Sequence, residues 1–348
     1  MYSERNLLNW FTRNWSNRPL FRTVLTLALL IIIHALILNL EYPGFAFTDW
    51  LRIWSGLLRD YAGIGIVALG MTLVIACGVI DLSAGAGTAA VSAASALLTE
   101  TGGHGLLRAA GIYGPPAYAA SVCAGIIFGA MLGQISGILV TRGKAPPFIA
   151  TLGTMIIYRG IAQQLMAGVT PVIPEGFRQI ALFEISGGAF LPVVYWLALS
   201  ILLHIVLNHT VFGRYVIATG SNEKAARLAG ISVDRVKRRV YRIMGVMTAI
   251  TALLQVAGAG APNFANAGSG YATDAITACV LGGSRLGGGR GHIAGAVMGT
   301  LIIAVVNHLQ RLTGVSPYMG EAFKGIVIIV AVLLYGAQST SGDKIAMK

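Results

Sequence analysis

Long apolar runs separated by short polar segments make up most of the chain. The first run, residues 23–40, is longer than the apolar part of a secretory signal, so we expect it to be retained as a helix. A bilayer crossing needs about 20 apolar residues, and each run of that size predicts a membrane span. The pattern predicts about ten transmembrane helices, at residues 23–40, 60–79, 82–99, 115–141, 147–167, 189–208, 239–260, 271–287, 292–313 and 319–336.

The composition supports a membrane protein and excludes several other classes. The chain has 348 residues, of which 55% are hydrophobic and 11% are charged, and its mean hydropathy is +0.74. A soluble domain carries about 25% charged residues, so this chain has too few to cover a water-facing surface. The same values argue against disorder, and the 45 glycines lack the period of three that collagen requires. The predicted fold class is an all-α polytopic membrane protein.

The positive charges fall on one side of the predicted membrane. The formal net charge is +12. With the N-terminus inside, the inside segments include Arg142, Lys144 and the basic stretch 209–238, whereas several acids fall in the outside loops. This bias follows the positive-inside rule and predicts cytoplasmic N- and C-termini. Since no basic stripe lies on a soluble domain, we expect no nucleic-acid partner.

Three parts of unequal size follow from this topology. Residues 1–22 form a cytoplasmic N-terminal segment, residues 23–336 a transmembrane domain, and residues 337–348 a cytoplasmic tail. The segment 209–238 is the longest polar stretch between two predicted spans, and it lies inside.

Two rows of glycines spaced four apart indicate close helix packing. They are Gly125, Gly129, Gly133 and Gly137 in the fourth span, and Gly291, Gly295 and Gly299 in the ninth. This spacing lines one helix face with small residues, so that two backbones can approach. The rows reflect either generic helix packing or an internal repeat. A repeat would pair spans 2–5 with spans 7–10 as two inverted halves.

An acid interrupts the apolar sequence at residue 81. Residues 70–87 run apolar into Asp81 and out again, with glycines on both sides. A carboxylate at the centre of a bilayer costs about 2.5–3.5 kcal/mol on insertion scales, so Asp81 needs a partner. Asp81 or Ser83 can cap the following helix and satisfy N–H groups that lipid leaves unpaired. The pattern predicts a broken helix, in which Asp81 is either a cap at the membrane edge or a substrate contact.

A second acid, Asp274, is expected to open a helix, where the helix dipole favours a negative charge. The glycine run 287–289 would end that helix. These glycines are not a phosphate loop, because Gly-Lys-Ser and Gly-Lys-Thr occur nowhere in the chain. The histidines and cysteines lack metal-ligand spacing, so we expect no metal, no cofactor and no catalytic site. Arg159, in an apolar stretch, is either a functional cation or an arginine extended to a helix end.

The inside stretch 209–238 contains a short predicted helix. Ser221 or Asn222 can cap it, Glu223 to Leu228 favours helix, and Gly230 can stop it in the left-handed conformation. Such a helix between two spans is either a solvated loop helix or an element that docks into a groove of another protein.

Four segments in this order resemble those of a known family. They are Gly70–Ile75 leading into Ile80–Ser83; Pro147–Met155 with Arg159 and Gly160; Phe212–Arg214 with Gly220–Ile231; and Asp274–Ile276 with Leu281–Gly283 and Gly287–Gly291. The chain is similar to the permease subunits of bacterial ABC importers for ribose, galactose, xylose and autoinducer-2, which are related to branched-chain amino acid permeases. It departs from them at Val79, where the family usually has glycine, and at Ala272, where it often has an acid.

The resemblance implies a subunit of a bacterial inner-membrane importer rather than an enzyme. ATP would be hydrolysed by separate ATPase subunits, an extracytoplasmic solute-binding protein would deliver a sugar, and a second permease subunit, identical or paralogous, would complete the dimer in the lipid bilayer. The expected ATPase-coupling residues are Asn222, Glu223, Ala225, Ala226 and Gly230. The expected substrate-pathway residues are Met71, Asp81, Ser83, Asn263 and Asp274. A branched-chain amino acid permease, an intramembrane enzyme and a channel are the alternatives.

Overall fold

A computed structural model describes residues 19–314 except 43, 45, 102–104, 184–189 and 260–263, together with residues 316, 319, 320, 322, 325 and 326. The tail 337–348, Asn263 and most of the predicted segments 1–22 and 319–336 lie outside the described residues. Within the described part, the chain is helical and contains no strand.

Helices follow one another along the chain with short connections. They are α1 Pro19–Glu41, α2 Phe47–Ala76, α3 Ala84–Thr99, α4 Leu106–Ala109, α5 Pro115–Thr141, α6 Pro147–Leu165, α7 Glu175–Leu182, α8 Leu191–His209, α9 Val211–Ser221, α10 Glu223–Leu228, α11 Val233–Ala259, α12 Tyr271–Leu281 and α13 Ile293–Leu312, with a 3₁₀ turn at Phe264–Asn266 between α11 and α12.

Six of these helices are long and apolar enough to cross a membrane: α1, α2, α5, α8, α11 and α13. This confirms the all-α polytopic class. Two other predicted spans are shorter than a full crossing. Helix α3 has 16 residues and α12 has 11 residues, so α12 rises only about 16 Å against a hydrocarbon core of about 30 Å.

The predicted end of the helix that contains Asp274 is wrong. Helix α12 ends at Leu281, and not at the glycine run 287–289. Gly282 caps the helix and Gly283 follows with φ of +86°, a left-handed conformation that glycine adopts without the strain of a side chain. The predicted span over residues 271–287 is therefore a half-helix followed by a glycine-rich loop.

Helices α2 and α11 form the centre of the bundle. Nearly every residue of α2 from Tyr61 to Ala76 is buried, so this helix is enclosed on all sides. By contrast, α1, α6 and α8 expose large apolar side chains, including Leu36, Ile156 and Ile201. Exposed apolar faces are typical of helices that contact lipid, since acyl chains are as apolar as leucine.

Both glycine rows serve close helix packing, as their spacing predicts. A Cβ added to Gly129 or Gly133 of α5 would overlap backbone oxygen atoms of α11. A Cβ added to Gly295 or Gly299 of α13 would overlap carbonyl oxygens at or just after the end of α12. Each row therefore allows two backbones to touch.

The contacts between helices come in matched pairs. Helix α11 packs on α5 and α3, and α3 also packs on α5. In the same way, α2 packs on α13 and α12, and α12 also packs on α13. Exchanging α2 with α11, α3 with α12 and α5 with α13 leaves this set of contacts unchanged. Two halves related by a twofold axis would produce this pattern, and the exchanged helices are those that the predicted inverted halves pair.

Replacing Gly133 by alanine should weaken the α5–α11 contact. The added methyl overlaps the Tyr241 carbonyl oxygen, and overpacking costs about 1–3 kcal/mol, so we expect a lower melting temperature in detergent micelles. Gly153→Ala on α6 is the matched control, because nothing lies within 4 Å of its added Cβ. Equal melting temperatures for the two variants would contradict this packing.

Candidate functional site

The chain breaks its helix between α2 and α3, over residues 77–83. Gly78 turns the backbone with φ of +79°. The Gly78 N–H donates to the Ile75 carbonyl and the Val79 N–H to the Val74 carbonyl. In a bilayer, backbone groups freed by a break need partners inside the protein, and these bonds supply part of them.

Asp81 supplies a further acceptor at the start of α3. Its side chain is buried, with 2% of the residue exposed. One carboxylate oxygen accepts from the Ser83 N–H at 2.9 Å and from the Ser83 hydroxyl at 2.5 Å. The predicted capping of α3 by these side chains is therefore wrong: Ser83 is at the cap position, but neither side chain accepts from an N–H within α3, and Asp81 instead accepts from the cap residue itself.

A line of buried hydroxyl groups connects this break to α5 and α6. The Ser136 hydroxyl lies 3.5 Å from that of Ser83, 3.3 Å from that of Thr154 and 3.4 Å from that of Tyr158. Tyr158 also donates to the Leu132 carbonyl at 2.7 Å. This line fixes the break against two neighbouring helices. The sequence patterns do not predict it, because its members are far apart along the chain.

Helix α11 holds the same break from the other side. The Tyr241 hydroxyl donates to the Ile80 carbonyl at 3.0 Å. The break is thus tied to α5, α6 and α11, so a shift in any of these helices moves its polar groups.

Four glycines form a junction between the end of α2, the end of α9 and the loop after α12. We call Gly78, Gly220, Gly288 and Gly289 the glycine junction. The Gly289 N–H donates to the Ala76 carbonyl at 2.9 Å. A Cβ added to Gly220 would overlap that carbonyl and lie 2.6 Å from the Gly289 nitrogen. Any side chain at residue 220 would therefore push these three segments apart.

Helix α10 follows the glycine junction directly and has the predicted caps. The Asn222 side-chain oxygen accepts from the Ala225 N–H at 3.0 Å, and Gly230 ends the helix with φ of +82°. Ala226 is buried against the rest of the chain. Leu228, at the last position of α10, is 91% exposed and forms an apolar knob at the end of the helix.

Ion pairs fasten α10 to α11. Glu223 accepts from Lys237 at 2.7 Å and from Arg227 at 2.9 Å, and Arg227 also pairs with Asp234 at 2.6 Å. The hydrogen bond from Lys237, followed by the one from Arg227, lowers the pKa of Glu223 below its ordinary value. Because the pKa of Glu223 is lowered in the folded state, these pairs stabilise the fold fully at a pH above the unfolded-state pKa of about 4.3. Their contribution is lost as the pH falls through the lower, folded-state pKa.

The loop between α11 and α12 is held by Arg159 of α6. The guanidinium donates to the carbonyls of Ala265 at 2.7 Å and Ala267 at 3.0 Å. These carbonyls are distant from Arg159 in sequence and lie in a loop, so the contact is compatible with both predicted roles of Arg159, a functional cation and an extended arginine. Gly268 of this loop packs on Gly85, so the starts of the half-helices α3 and α12 meet.

A cavity of about 500 Å³ lies where these two half-helices begin. We call it the half-helix cavity. Its polar lining comprises Arg159, Gln163, Ser269 and Thr273. Helix N-termini present unpaired N–H groups, so this cavity offers donors to the oxygen atoms of a ligand.

The structure brings the predicted pathway residues together only in part. Asp81 and Ser83 bond to each other at the break. Asp274 is buried in the first turn of α12, and Met71 is fully buried inside α2. Among the residues that line the half-helix cavity, Arg159 was singled out in the sequence because it interrupts an apolar run, whereas Gln163, Ser269 and Thr273 were missed. Among the described residues, no group of three or more His, Cys, Asp or Glu could hold a metal ion.

Comparison with known proteins gives a consistent result. The family described as "Branched-chain amino acid transport system / permease component" matches residues 53–332. The ribose import permease protein RbsC of Escherichia coli K12 is 33% identical over 329 residues, which is 93% of this chain and 95% of that protein.

Two further relatives have similar coverage. The Bacillus subtilis ribose import permease protein RbsC is 39% identical over 80% of this chain and 83% of its own length. The Rhizobium meliloti fructose import permease protein FrcC is 37% identical over 80% and 76%. No solved structure matches the chain at a significant level.

Replacing Asp81 by alanine should destabilise the break. The Ser83 N–H and hydroxyl lose their acceptor, and an unsatisfied buried donor costs about 1–3 kcal/mol. Asp81→Asn keeps one acceptor oxygen and should retain more of the stability. Melting of both variants in micelles checks this, and an Asp81→Ala protein as stable as wild type would show that the carboxylate does not hold the break.

Proposed function

The chain belongs to the permease family described as branched-chain amino acid transport system / permease component, and we propose that it is the membrane subunit of an ATP-driven sugar importer. The observation that carries this proposal is the extent of the match to sugar permeases, up to 93% of the chain. The substrate would be a monosaccharide or a sugar-like solute.

Energy would come from a separate ATPase subunit. The chain has no Gly-Lys-Ser or Gly-Lys-Thr with which to cradle a nucleotide phosphate. We assign the docking element to α10 within the segment 209–238, with Asn222, Glu223, Ala225, Ala226 and Gly230 as the coupling residues. The exposed Leu228 supports this assignment, since an apolar knob on a charged helix suits a partner's groove. The buried Ala226 would seat the helix on its own chain.

Motion of α10 has two routes into the bundle. The Glu223–Lys237 pair connects it to α11, and the backbone of α9 connects it to the glycine junction. That junction touches the end of α2 and the loop after α12, so one displacement would reach both half-helix segments. Alternating access would follow from movement of the two halves relative to each other.

The substrate would pass between the broken helices. We place its pathway near Asp81, Ser83 and Asp274, with Asn263 and Met71 as further candidates. The polar lining of the half-helix cavity supports this region as the route. A second permease subunit, identical or paralogous, would complete the pathway, and an extracytoplasmic solute-binding protein would deliver the sugar.

The placement in the cell follows from the family and the charges. A permease whose described residues contain six candidate membrane helices belongs in a membrane, which we propose is the bacterial inner membrane. The basic stretch 209–238 would then face the cytoplasm, together with the segment 1–22 and the tail 337–348. Residues 23–336 would form the permease domain.

A branched-chain amino acid is the second candidate substrate, because the family description names that class. Uptake of labelled sugar separates the two, in cells that express the chain with its ATPase and binding protein. We expect unlabelled ribose, galactose or fructose to compete and leucine not to compete. Saturable leucine uptake that no sugar reduces would make the chain an amino acid permease.

Reversing the charge of Glu223 tests the docking assignment. Glu223→Arg repels Lys237 and Arg227, so we expect the ATPase subunit to stop copurifying and uptake to fall at least about tenfold, equivalent to 1.4 kcal/mol. The purified chain should stay folded and melt somewhat below wild type, since the exposed pair with Arg227 contributes only about 0.2–1 kcal/mol, while the Lys237 side chain, 13% exposed, loses its acceptor.

Glu175→Arg is the matched control. It breaks an exposed ion pair with Arg178 on α7, away from α10. We expect ATPase copurification and uptake to stay at wild-type levels. If both variants kept the ATPase bound, the docking assignment would be wrong.

A further inference from the structure

A cavity of about 360 Å³ lies between the start of α9, the segment that follows α10 and the first turns of α11. We call it the arginine pocket, because Arg235 and Arg239 of α11 line it. The coupling and pathway residues assigned above include neither arginine.

The two arginines are placed to act on one ligand together. They lie four residues apart on α11, a spacing that makes them neighbours on one helix face, and both are exposed. Arg235 donates to the Ser232 hydroxyl, which is uncharged. No side chain within the described part of the chain pairs with the Arg239 guanidinium.

Nearby acids do not neutralise these two charges. No acid lines the pocket. Glu223, on α10, pairs with Lys237 and Arg227, and Asp234, at the start of α11, pairs with Arg227. A guanidinium presents a planar fork of N–H donors that matches the oxygen atoms of a phosphate. The pocket therefore favours an anionic phosphate group.

Another wall of the pocket is apolar and follows the lipid-facing helix α8. Leu197, Ile201 and Ile205 lie four residues apart on α8, and all three are exposed. Val211 and Tyr215, which are also four residues apart and exposed, continue the apolar surface on α9 and line the pocket. Exposed apolar side chains at this spacing on both helices place the pocket beside lipid.

The end of α8 places the pocket at the depth of the lipid headgroups. This candidate membrane span ends at His209, and α9 begins at Val211. Tyrosine is enriched at this interface, and basic side chains next to the cytoplasmic end of a span attract anionic lipids. A free phosphate ion would use the two arginines but would leave the apolar wall in water.

We propose that the arginine pocket binds the phosphate of an anionic phospholipid. Arg235 and Arg239 donate to the phosphate oxygens, while Val211 and Tyr215 contact the glycerol and the first carbons of the acyl chains. The volume is within the range of about 300–1,000 Å³ that small-molecule sites occupy. The bound lipid bridges the starts of α9 and α11, the helices on either side of α10. This site goes beyond the proposed function and does not depend on which solute is transported.

Lipid titration of the purified full chain in micelles of a neutral detergent tests this, with phosphatidylglycerol, phosphatidylcholine and inorganic phosphate as probes. Native mass spectrometry counts the bound lipid, and thermal unfolding gives the apparent affinity. We expect phosphatidylglycerol to raise the melting temperature saturably. Phosphatidylcholine should bind at least about tenfold more weakly, equivalent to 1.4 kcal/mol, because the arginines repel its ammonium group, and inorganic phosphate should have no effect at equal concentration.

The double variant Arg235→Gln/Arg239→Gln should weaken the affinity for phosphatidylglycerol at least about tenfold, and it should leave the melting temperature of the lipid-free protein unchanged. Arg142→Gln/Lys144→Gln is the matched control. It removes the same charge from two exposed residues that follow α5 and do not line the pocket, so it should bind phosphatidylglycerol as wild type does.

Four outcomes would overturn the proposal. They are no saturable effect of phosphatidylglycerol on wild type, an equal effect of inorganic phosphate, an equal loss of affinity in the two double variants, and unchanged lipid affinity in Arg235→Gln/Arg239→Gln. If that last variant also lost the copurifying ATPase, the pocket would belong to the ATPase interface instead. The lipid assay contains no ATPase and no sugar, so its result is independent of the uptake experiments that decide the proposed function.

Discussion

Backbone groups inside a bilayer need partners within the protein, and this constraint governs the helix break between α2 and α3. The Ala76 carbonyl accepts from the Gly289 N–H, and the Asp81 carboxylate accepts from the Ser83 N–H. The first bond forms only because Gly220, at the end of α9, has no side chain to hold the segments apart. One close backbone contact therefore joins the exposed α10 region to the break and to the loop after the half-helix α12.

Local sequence was sufficient for much of this architecture. The break at Asp81, the Asn222 cap and the Gly230 stop each depend on residues within a few positions of one another, where turn and capping chemistry is specific. The glycine rows on α5 and α13 were also readable, because a spacing of four places small residues on one helix face.

Contacts between distant segments were not predictable in the same way. Tyr241 bonds Ile80, and Arg159 bonds Ala265 and Ala267, across more than a hundred residues in each case. Nothing local distinguishes Tyr241 from other tyrosines, and the apolar run around Arg159 marks the arginine but not its partners. The predicted end of α12 failed because two glycine clusters follow Asp274, and the helix ends at the first, where Gly283 is left-handed and Gly282 packs closely on Gly295.

Hydrogen exchange of the full chain in micelles tests the central claim, that the missing side chain of Gly220 lets the end of α2 contact the loop after α12. A Gly220→Ala variant should show faster exchange at the Gly289 N–H and at residues 78–83, beyond its own helix. Gly287→Ala, in the same loop with open space around its added Cβ, should leave these residues protected. Faster exchange confined to residues 211–221 in the Gly220→Ala variant would contradict the account.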